Sequence, residues 1–253
     1  MTNTFKHSGS FGDMIFSLPT VIAAGGGDYY LRDDQTRNIG RLFEAQPYMK
    51  VKVLNNADWK AFVPTHNLDL FRGSHELSVV KMHLDAFNLT FDIKKPYLFN
   101  IPPKKIAKIV LNDSGGKTNS KFPGHTLNWS LLKPHEKDCV FIGHEAEWVE
   151  FKEYRKLDVA YYKIQDLYEW AQIIQGSKLY IGNMTSGQCL AEGLKKSYCV
   201  DLYVGKPQYP LTTESYVGLC EAILYWHLGI PYGSMPGVKP EKRWCSTKSE
   251  WEI

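Results

Sequence analysis

Apolar positions along the chain come in short runs of strand length, separated by amphipathic stretches of helical period. A stretch ending at Lys6-His7 runs into the small-residue loop Ser8-Gly9-Ser10-Phe11-Gly12-Asp13. Met14, Ile15, Leu18, Val21 and Ile22 follow at spacings that put them on one helix face. Pro19 falls inside that helix, where its missing N–H predicts a kink or a later start. Gly25-Gly26-Gly27 stops the helix and Asp28 to Leu31 reads as the next strand, completing a β-loop-α-loop-β unit of the doubly wound kind. From Arg32 to about Asn100 the pattern predicts a helix near Gln35–Glu44, a strand near Val51–Leu54 and a polar segment with several histidines, without ordering the strands.

The proline- and lysine-containing stretch Asn100 to Lys105 separates two patterned regions and predicts a boundary between an N-terminal lobe, residues 1–103, and a C-terminal lobe, residues 104–253. The second lobe opens with the apolar run Lys108 to Asn112, followed by a polar, glycine-containing loop from Asp113 to Lys121. Further strands are predicted at Cys139–Gly143, Lys178–Gly182 and Tyr198–Leu202. A helix begins after Asp166 with Gly176 as its C-terminal stop, another runs through Leu190 to Lys195, and a last amphipathic helix carries Val217, Cys220, Ile223 and Leu224 ahead of a tail. Alternating strands and helices at these distances predict parallel sheets.

Composition narrows the class. The chain has 253 residues, 43% hydrophobic and 23% charged, which excludes disordered, collagen-like and coiled-coil classes. The formal net charge of +3 names no partner by itself. Five cysteines without a C-x-x-C pair indicate reduced thiols rather than a disulfide framework or a zinc knuckle. No apolar run spans a bilayer, and the N-terminus lacks the layout of a secretory signal, so a cytoplasmic protein is expected.

In open parallel sheets ligands collect at strand C-termini, where helix N-termini favour anions. Two loops have that address: Ser8–Asp13 and Gly182-Asn183-Met184-Thr185-Ser186-Gly187-Gln188. Neither is a Walker loop or a G-x-G-x-x-G fingerprint. The eight histidines form no H-x-x-x-H or H-E-x-x-H set, so no metal is expected, and no G-x-S-x-G elbow is present. The basic groups Lys104-Lys105-Lys108, Lys195-Lys196 and Lys239–Arg243 read as solvated faces, with a path for a polyanionic acceptor such as DNA as the second reading.

Taken in order, SGSFGDMIFSLPTV at Ser8–Val21 and YIGNMTSGQCLAEGL at Tyr180–Leu194 resemble the two motifs of the heptosyltransferase-like glycosyltransferases, the ADP-heptose:LPS heptosyltransferase family. VFIGHEAEWVEF at Val140–Phe151 and DLYEWAQIIQGSKL at Asp166–Leu179 are similar to the stretches that lead into the second motif. The resemblance spans roughly residues 5–33 and 106–204. It implies an α/β, GT-B-like architecture: two Rossmann-like lobes with parallel sheets facing a central cleft, with a nucleotide-sugar donor on the C-terminal lobe and a carbohydrate or other hydroxyl acceptor on the N-terminal lobe. It implies metal-independent, inverting transfer with no cofactor.

On the same resemblance Asp13 corresponds to the general base, against the alternative that it caps its helix. Lys121, with Lys117 as a nearby competitor, corresponds to a lysine on donor phosphate, against an unliganded surface lysine. Thr185, Ser186 and Gly187 would bind the diphosphate, against simple helix capping. Gly12 and Asn183 are assigned to the donor side and Ser10 to the acceptor. Glu192 is a candidate for a ribose hydroxyl, against a solvated helix carboxylate. The chain departs from many relatives at Met184 and Cys189, where Asp or Gln and His are common. Those changes leave open the identity of the donor and a binding protein of the same fold without turnover.

Overall fold

In a computed structural model of the chain, residues 2–69, 79–113, 129–183 and 185–200 are described. The first sheet is built from β1 (Thr4–Lys6), β2 (Gly27–Arg32), β3 (Met49–Leu54) and β4 (His66–Asn67), in the order β3-β2-β1-β4 with every neighbour parallel. Between β1 and β2 the expected helix is two helices, α1 (Phe11–Phe16) and α2 (Leu18–Ala23). Ser17 breaks the run, and Pro19 sits in the first turn of α2, where a missing N–H leaves no bond unmade. Gly26 then turns the chain at φ +78°, with its Cα so close to Tyr48 that a Cβ would lie 2.2 Å from the Tyr48 carbonyl oxygen.

The helical stretch expected near Gln35–Glu44 is α3 (Asp33–Gln35) and α4 (Arg41–Glu44), joined by a π turn over Thr36–Gly40. After β3 come α5 (Asn56–Ala61) and, beyond β4, α6 (Val79–Ala86).

The second sheet contains β5 (Ile109–Asn112), β6 (Cys139–Phe141), β7 (Ala160–Tyr161), β8 (Leu179–Gly182) and β9 (Tyr198–Val200), in the order β7-β6-β5-β8-β9, again all parallel. Its helices are α7 (Glu145–Arg155), α8 (Leu167–Gly176) and α9 (Ser186–Leu194). Both faces of this sheet are covered. Ile109, Leu111, Leu179 and Ile181 point into one apolar cluster with Trp129 and Phe151, while Val110 and Tyr180, one residue out of phase, point into the other. The second cluster is continuous with the core of the first lobe, joining Phe5, Met14, Ile15 and Leu18 to Leu190, Ala191 and Trp170.

The stretch read as a linker is packed. Tyr97 N–H and Leu98 N–H both donate to the Gly193 carbonyl at 3.0 and 3.1 Å, and Lys104 N–H donates to the Gln172 carbonyl at 2.8 Å. It therefore crosses the backs of α9 and α8. This accounts for Gly176, read as the C-terminal stop of α8. The helix does end there, with Ser177 as its cap, and a Cβ on Gly176 would lie 2.4 Å from the Lys104 carbonyl oxygen, so close packing selects glycine at this position. The expected C-terminal helix at Val217–Leu224 and the tail lie outside the described residues. Among the described residues no helix is long and apolar enough to cross a membrane.

Gly176→Ala forces the 104–105 backbone off α8 and is expected to destabilise the protein by about 1–3 kcal/mol, lowering Tm by several degrees in a thermal melt. An unchanged Tm would show that the crossing segment yields freely.

Candidate functional site at the meeting of two helix N-termini

Each sheet has one place where successive crossovers leave in opposite directions. In the first sheet it lies between β1 and β4, and in the second between β5 and β8. The loops that follow these strands carry the two motifs, and α1 and α9 bring them together. A Cβ on Gly12 would lie 3.1 Å from Cys189 Sγ and 3.9 Å from Ser186 Cα, so the first turn of α1 rests on the first turn of α9. Between the lobes opens a cleft of about 680 Å³, bordered by Phe11 and Asn38 from the first lobe and by Asn112, Gly143, Glu145, Glu147, Lys163, Thr185 and Ser186 from the second.

Asp13 is half-buried at the third position of α1 and is not the cap. The cap is Ser10, whose Oγ accepts from the Asp13 N–H at 3.3 Å and donates to Asp13 Oδ2 at 2.9 Å. An alcohol thus already delivers its proton toward this carboxylate. Ser10 itself is exposed. Gly12 lies in the helix–helix contact.

At the second loop, Thr185 occupies the N-cap position of α9 but makes no side-chain cap. Its hydroxyl donates to Asn112 Oδ1 at 2.8 Å and lies 3.2 Å from the Tyr180 hydroxyl. Asn112 Nδ2 in turn donates to the Ile142 carbonyl at 2.7 Å. With the threonine tied to the end of β5, the first amides of α9 keep no side-chain cap from Thr185. Ser186, half-buried, lines the cleft there. Gly187 is buried for packing: a Cβ would lie 2.5 Å from both Trp170 Cζ2 and the Tyr180 hydroxyl. The Asn183 N–H donates to the Asn112 carbonyl at 3.3 Å.

Glu192 departs from the reading of it as a solvated helix carboxylate. It is 2% exposed, so it is not a solvated carboxylate. Its oxygens are held by the Tyr198 hydroxyl at 2.8 Å and by Lys195 Nζ, which keeps it out of the cleft lining. Burying a carboxylate requires such partners, and they come from the turn after its own helix, where no helical pattern reveals them. Lys121, Lys117 and Met184 lie outside the described residues.

Several groups were not anticipated. Asn112 anchors Thr185, and the polar residue closing the Ile-Val-Leu run was its only sequence signal. Arg41 crosses from the first lobe to Asp166 at 2.8 Å, and Asp166 Oδ1 also accepts from the Glu169 N–H at 2.8 Å, capping α8. At the far side of the cleft, burial and the carboxylates Glu145 and Glu147 push the Tyr161 phenol up. Beneath the first loop, His7 Nδ1 stands 3.1 Å from Asp69 Oδ1. Burial works to raise the Asp69 carboxyl, but the His7 ring and the Ser8 N–H outweigh it and leave it at about 2. His83, fully buried, packs edge-on to His7 at 5.3 Å. Burial and then His7 push it down to about 3, against a smaller opposing pull from Asp69. Among the described residues no group of three or more His, Cys, Asp or Glu side chains is placed to hold a metal ion.

No protein-family model and no curated protein sequence matches the chain. Solved structures do match it. A glycosyl transferase family 9 protein from Veillonella parvula superposes with a TM-score of 0.54 at 10% identity, over 92% of this chain and 90% of that one. Escherichia coli ADP-heptose LPS heptosyltransferase II gives 0.53 at 12% identity, over 85% and 89%. E. coli heptosyltransferase WaaC with ADP-2-deoxy-2-fluoro heptose gives 0.52 at 11% identity, over 84% and 93%. The chain has the GT-B-like fold of these glycosyltransferases. Two α/β lobes with parallel sheets and a cleft between them agree with the architecture that the motifs implied.

His83 is neutral in the folded protein down to about pH 3 and takes up a proton in the unfolded chain near pH 6.5. Stability from this group is therefore complete above pH 6.5 and is lost as pH falls below it. Between pH 6.5 and 4 the wild type should lose up to roughly 3 kcal/mol through this residue, measured by urea unfolding. His83→Leu should flatten that slope; an identical slope in the variant would show that His83 does not carry it.

Proposed function

We propose that the chain is a glycosyltransferase that takes a sugar from a nucleoside-diphosphate sugar and passes it to a hydroxyl acceptor by a single inverting displacement without a metal. The observation that carries this reading is the contact of the first turn of α1 with the first turn of α9 at the edge of one cleft, which Phe11, Thr185 and Ser186 border; Asp13 lies on α1 two residues from Phe11, outside that lining. The WaaC structure named above was solved with an ADP-sugar, which fits the same reading.

The cleft is chemically graded. At one end the α9 amides, the helix dipole, Ser186 and the Thr185–Asn112 pair suit a diphosphate. Away from that end Glu145 and Glu147 can accept hydroxyl groups, as a ribose or sugar would offer. Lys163 adds a cation on the same wall. Lys121 remains the sequence's candidate for a second phosphate contact.

In the proposed step Asp13 takes the proton of the acceptor hydroxyl. The acceptor oxygen forms its bond to the anomeric carbon as the bond from that carbon to the phosphate oxygen breaks. The electron pair leaves with the nucleoside diphosphate, whose charge is met by the α9 N-terminus. Attack from the face opposite the leaving group inverts the anomeric centre. Asp13 is half-buried, and its bond from Ser10 fixes the orientation of the carboxylate.

A panel of nucleoside diphosphates and their sugars, scanned by thermal shift, identifies the donor through the stabilisation that binding confers. With that donor, Asp13→Asn should lower kcat by about 10²–10⁴-fold, while the thermal shift produced by the free nucleoside diphosphate stays as in wild type. Equal turnover in wild type and variant would remove Asp13 from the chemistry; a wild type that neither binds nor turns over any donor would leave a protein that keeps only the fold.

A further inference from the structure

The loop that delivers Asp13 is held from below by a pair of residues that the transfer step does not touch. His7, directly after β1, is 1% exposed. Its Nδ1 lies 2.8 Å from the Gly9 amide nitrogen and 3.1 Å from Asp69 Oδ1. The same carboxylate oxygen accepts from the Ser8 N–H at 2.7 Å. Both amides of the turn thus point at this pair, and Asp69 lies two residues beyond β4, on the other side of the lobe's switch point. The ring nitrogen has one role at a time: it accepts from Gly9 with the proton on Nε2, or donates to Asp69 with the proton on Nδ1. In the first role the ring holds the Gly9 amide directly; in the second it joins the Asp69 carboxylate, which holds the Ser8 amide in either case.

The imidazole and the Asp13 carboxylate both crowd the space where a Gly9 side chain would sit. A Cβ on Gly9 would lie 2.5 Å from His7 Cε1, 3.0 Å from His7 Nδ1 and 3.3 Å from Asp13 Oδ2. Any side chain at Gly9 would therefore push on the ring and the carboxylate together. The ring is itself fixed, because Gln35 Nε2 donates to the His7 carbonyl at 3.4 Å and the His83 ring packs edge-on against it. Gln35 also reaches Met14 Sδ at 3.7 Å, in the helix that carries Asp13. With a carboxyl held at about 2, Asp69 stays ionised across the pH range in which the protein would work.

We propose that His7, braced by Asp69, is a positioning residue for Asp13, holding the Ser8–Gly9 turn in the one conformation that presents the carboxylate to an acceptor hydroxyl. The proposal rests on the glycosyl-transfer reading for its functional consequence, but the physical link from His7 through Gly9 to Asp13 is open to measurement without substrate. Misplacing a catalytic carboxylate by about 1 Å costs up to roughly 100-fold in rate. The donor contacts sit on the other lobe, so the loss should fall on kcat and spare donor binding.

The test uses the full chain with His7→Leu, which removes both polar roles, and His7→Asn, whose amide places a donor or acceptor near the position of Nδ1. Asp69→Asn serves in place of His7→Leu if the latter does not fold. Without substrate, NMR follows solvent exchange of the Gly9 amide and the 13C shift of the Asp13 carboxyl. In His7→Leu the amide should exchange at least about tenfold faster and the Asp13 resonance should move, and His7→Asn should restore both. With the donor found by thermal shift, His7→Leu should lower kcat by about 10–100-fold at a donor KM within about twofold of wild type, and His7→Asn should recover most of it. An unchanged Gly9 amide and Asp13 resonance in His7→Leu, or an unchanged kcat, overturns the proposal. Should no donor turn over in wild type while both NMR probes respond as expected, the glycosyl-transfer reading fails and the positioning of Asp13 by His7 stands.

Discussion

The site depends on one close contact, the seating of the first turn of α1 on the first turn of α9 at Gly12 and Cys189. Two helix N-termini approach this closely only where one of them has no side chain in the contact, and a Cβ on Gly12 would already sit 3.1 Å from Cys189 Sγ. A small thiol fits there. Burial, and then the nearby Asp13, push that thiol well up, so it stays neutral and adds no second negative charge beside the carboxylate. Histidine, common at this place in the families that the motifs resemble, would be larger and would require a different spacing of the two helices. Because the apolar core runs through this contact from Met14 to Leu190, the alignment of the two turns belongs to the same packing that folds both lobes.

Around that contact the electrostatics divide by origin. The helix N-terminus of α9 offers amide donors, and Thr185 turns its hydroxyl toward Asn112, which leaves those amides without a side-chain cap from Thr185. The first lobe offers a carboxylate that already accepts an alcohol proton from Ser10. Arg41 to Asp166 at the cleft, and the crossing segment at Tyr97–Lys104 over the backs of α8 and α9, bind the lobes together. Each does so through groups far apart in the chain, which is why the cleft has defined walls.

Both polar turns were legible in the sequence because each is a strand–turn–helix step signalled within a dozen residues by glycine, hydroxyl residues and a change of hydrophobic period. Nothing in those signals says that the turns meet; that follows from strand order, and order is decided by long-range pairing such as β5 with β8. The pairs His7–Asp69 and Arg41–Asp166 were invisible for the same reason. Glu192 was misread because its partners, Lys195 and Tyr198, turn a helix-surface position into a buried one. Gly176 does close its helix, but the reason glycine is needed there, the Lys104 carbonyl pressed against it, comes from a segment some seventy residues away and leaves no local signal. Pro19 was read as a kink or a later start, and a new helix beginning at Leu18 satisfies the second.

The most direct measurement is a crystal structure with the nucleoside diphosphate that gives the largest thermal shift, ADP or UDP, bound. The account predicts its phosphates at the N-terminus of α9, within hydrogen-bond reach of the Ser186 amide, with the terminal phosphate facing the Asp13 carboxylate across the cleft. A nucleotide bound elsewhere, or bound in the cleft with its phosphates directed away from both α9 and Asp13, would contradict it.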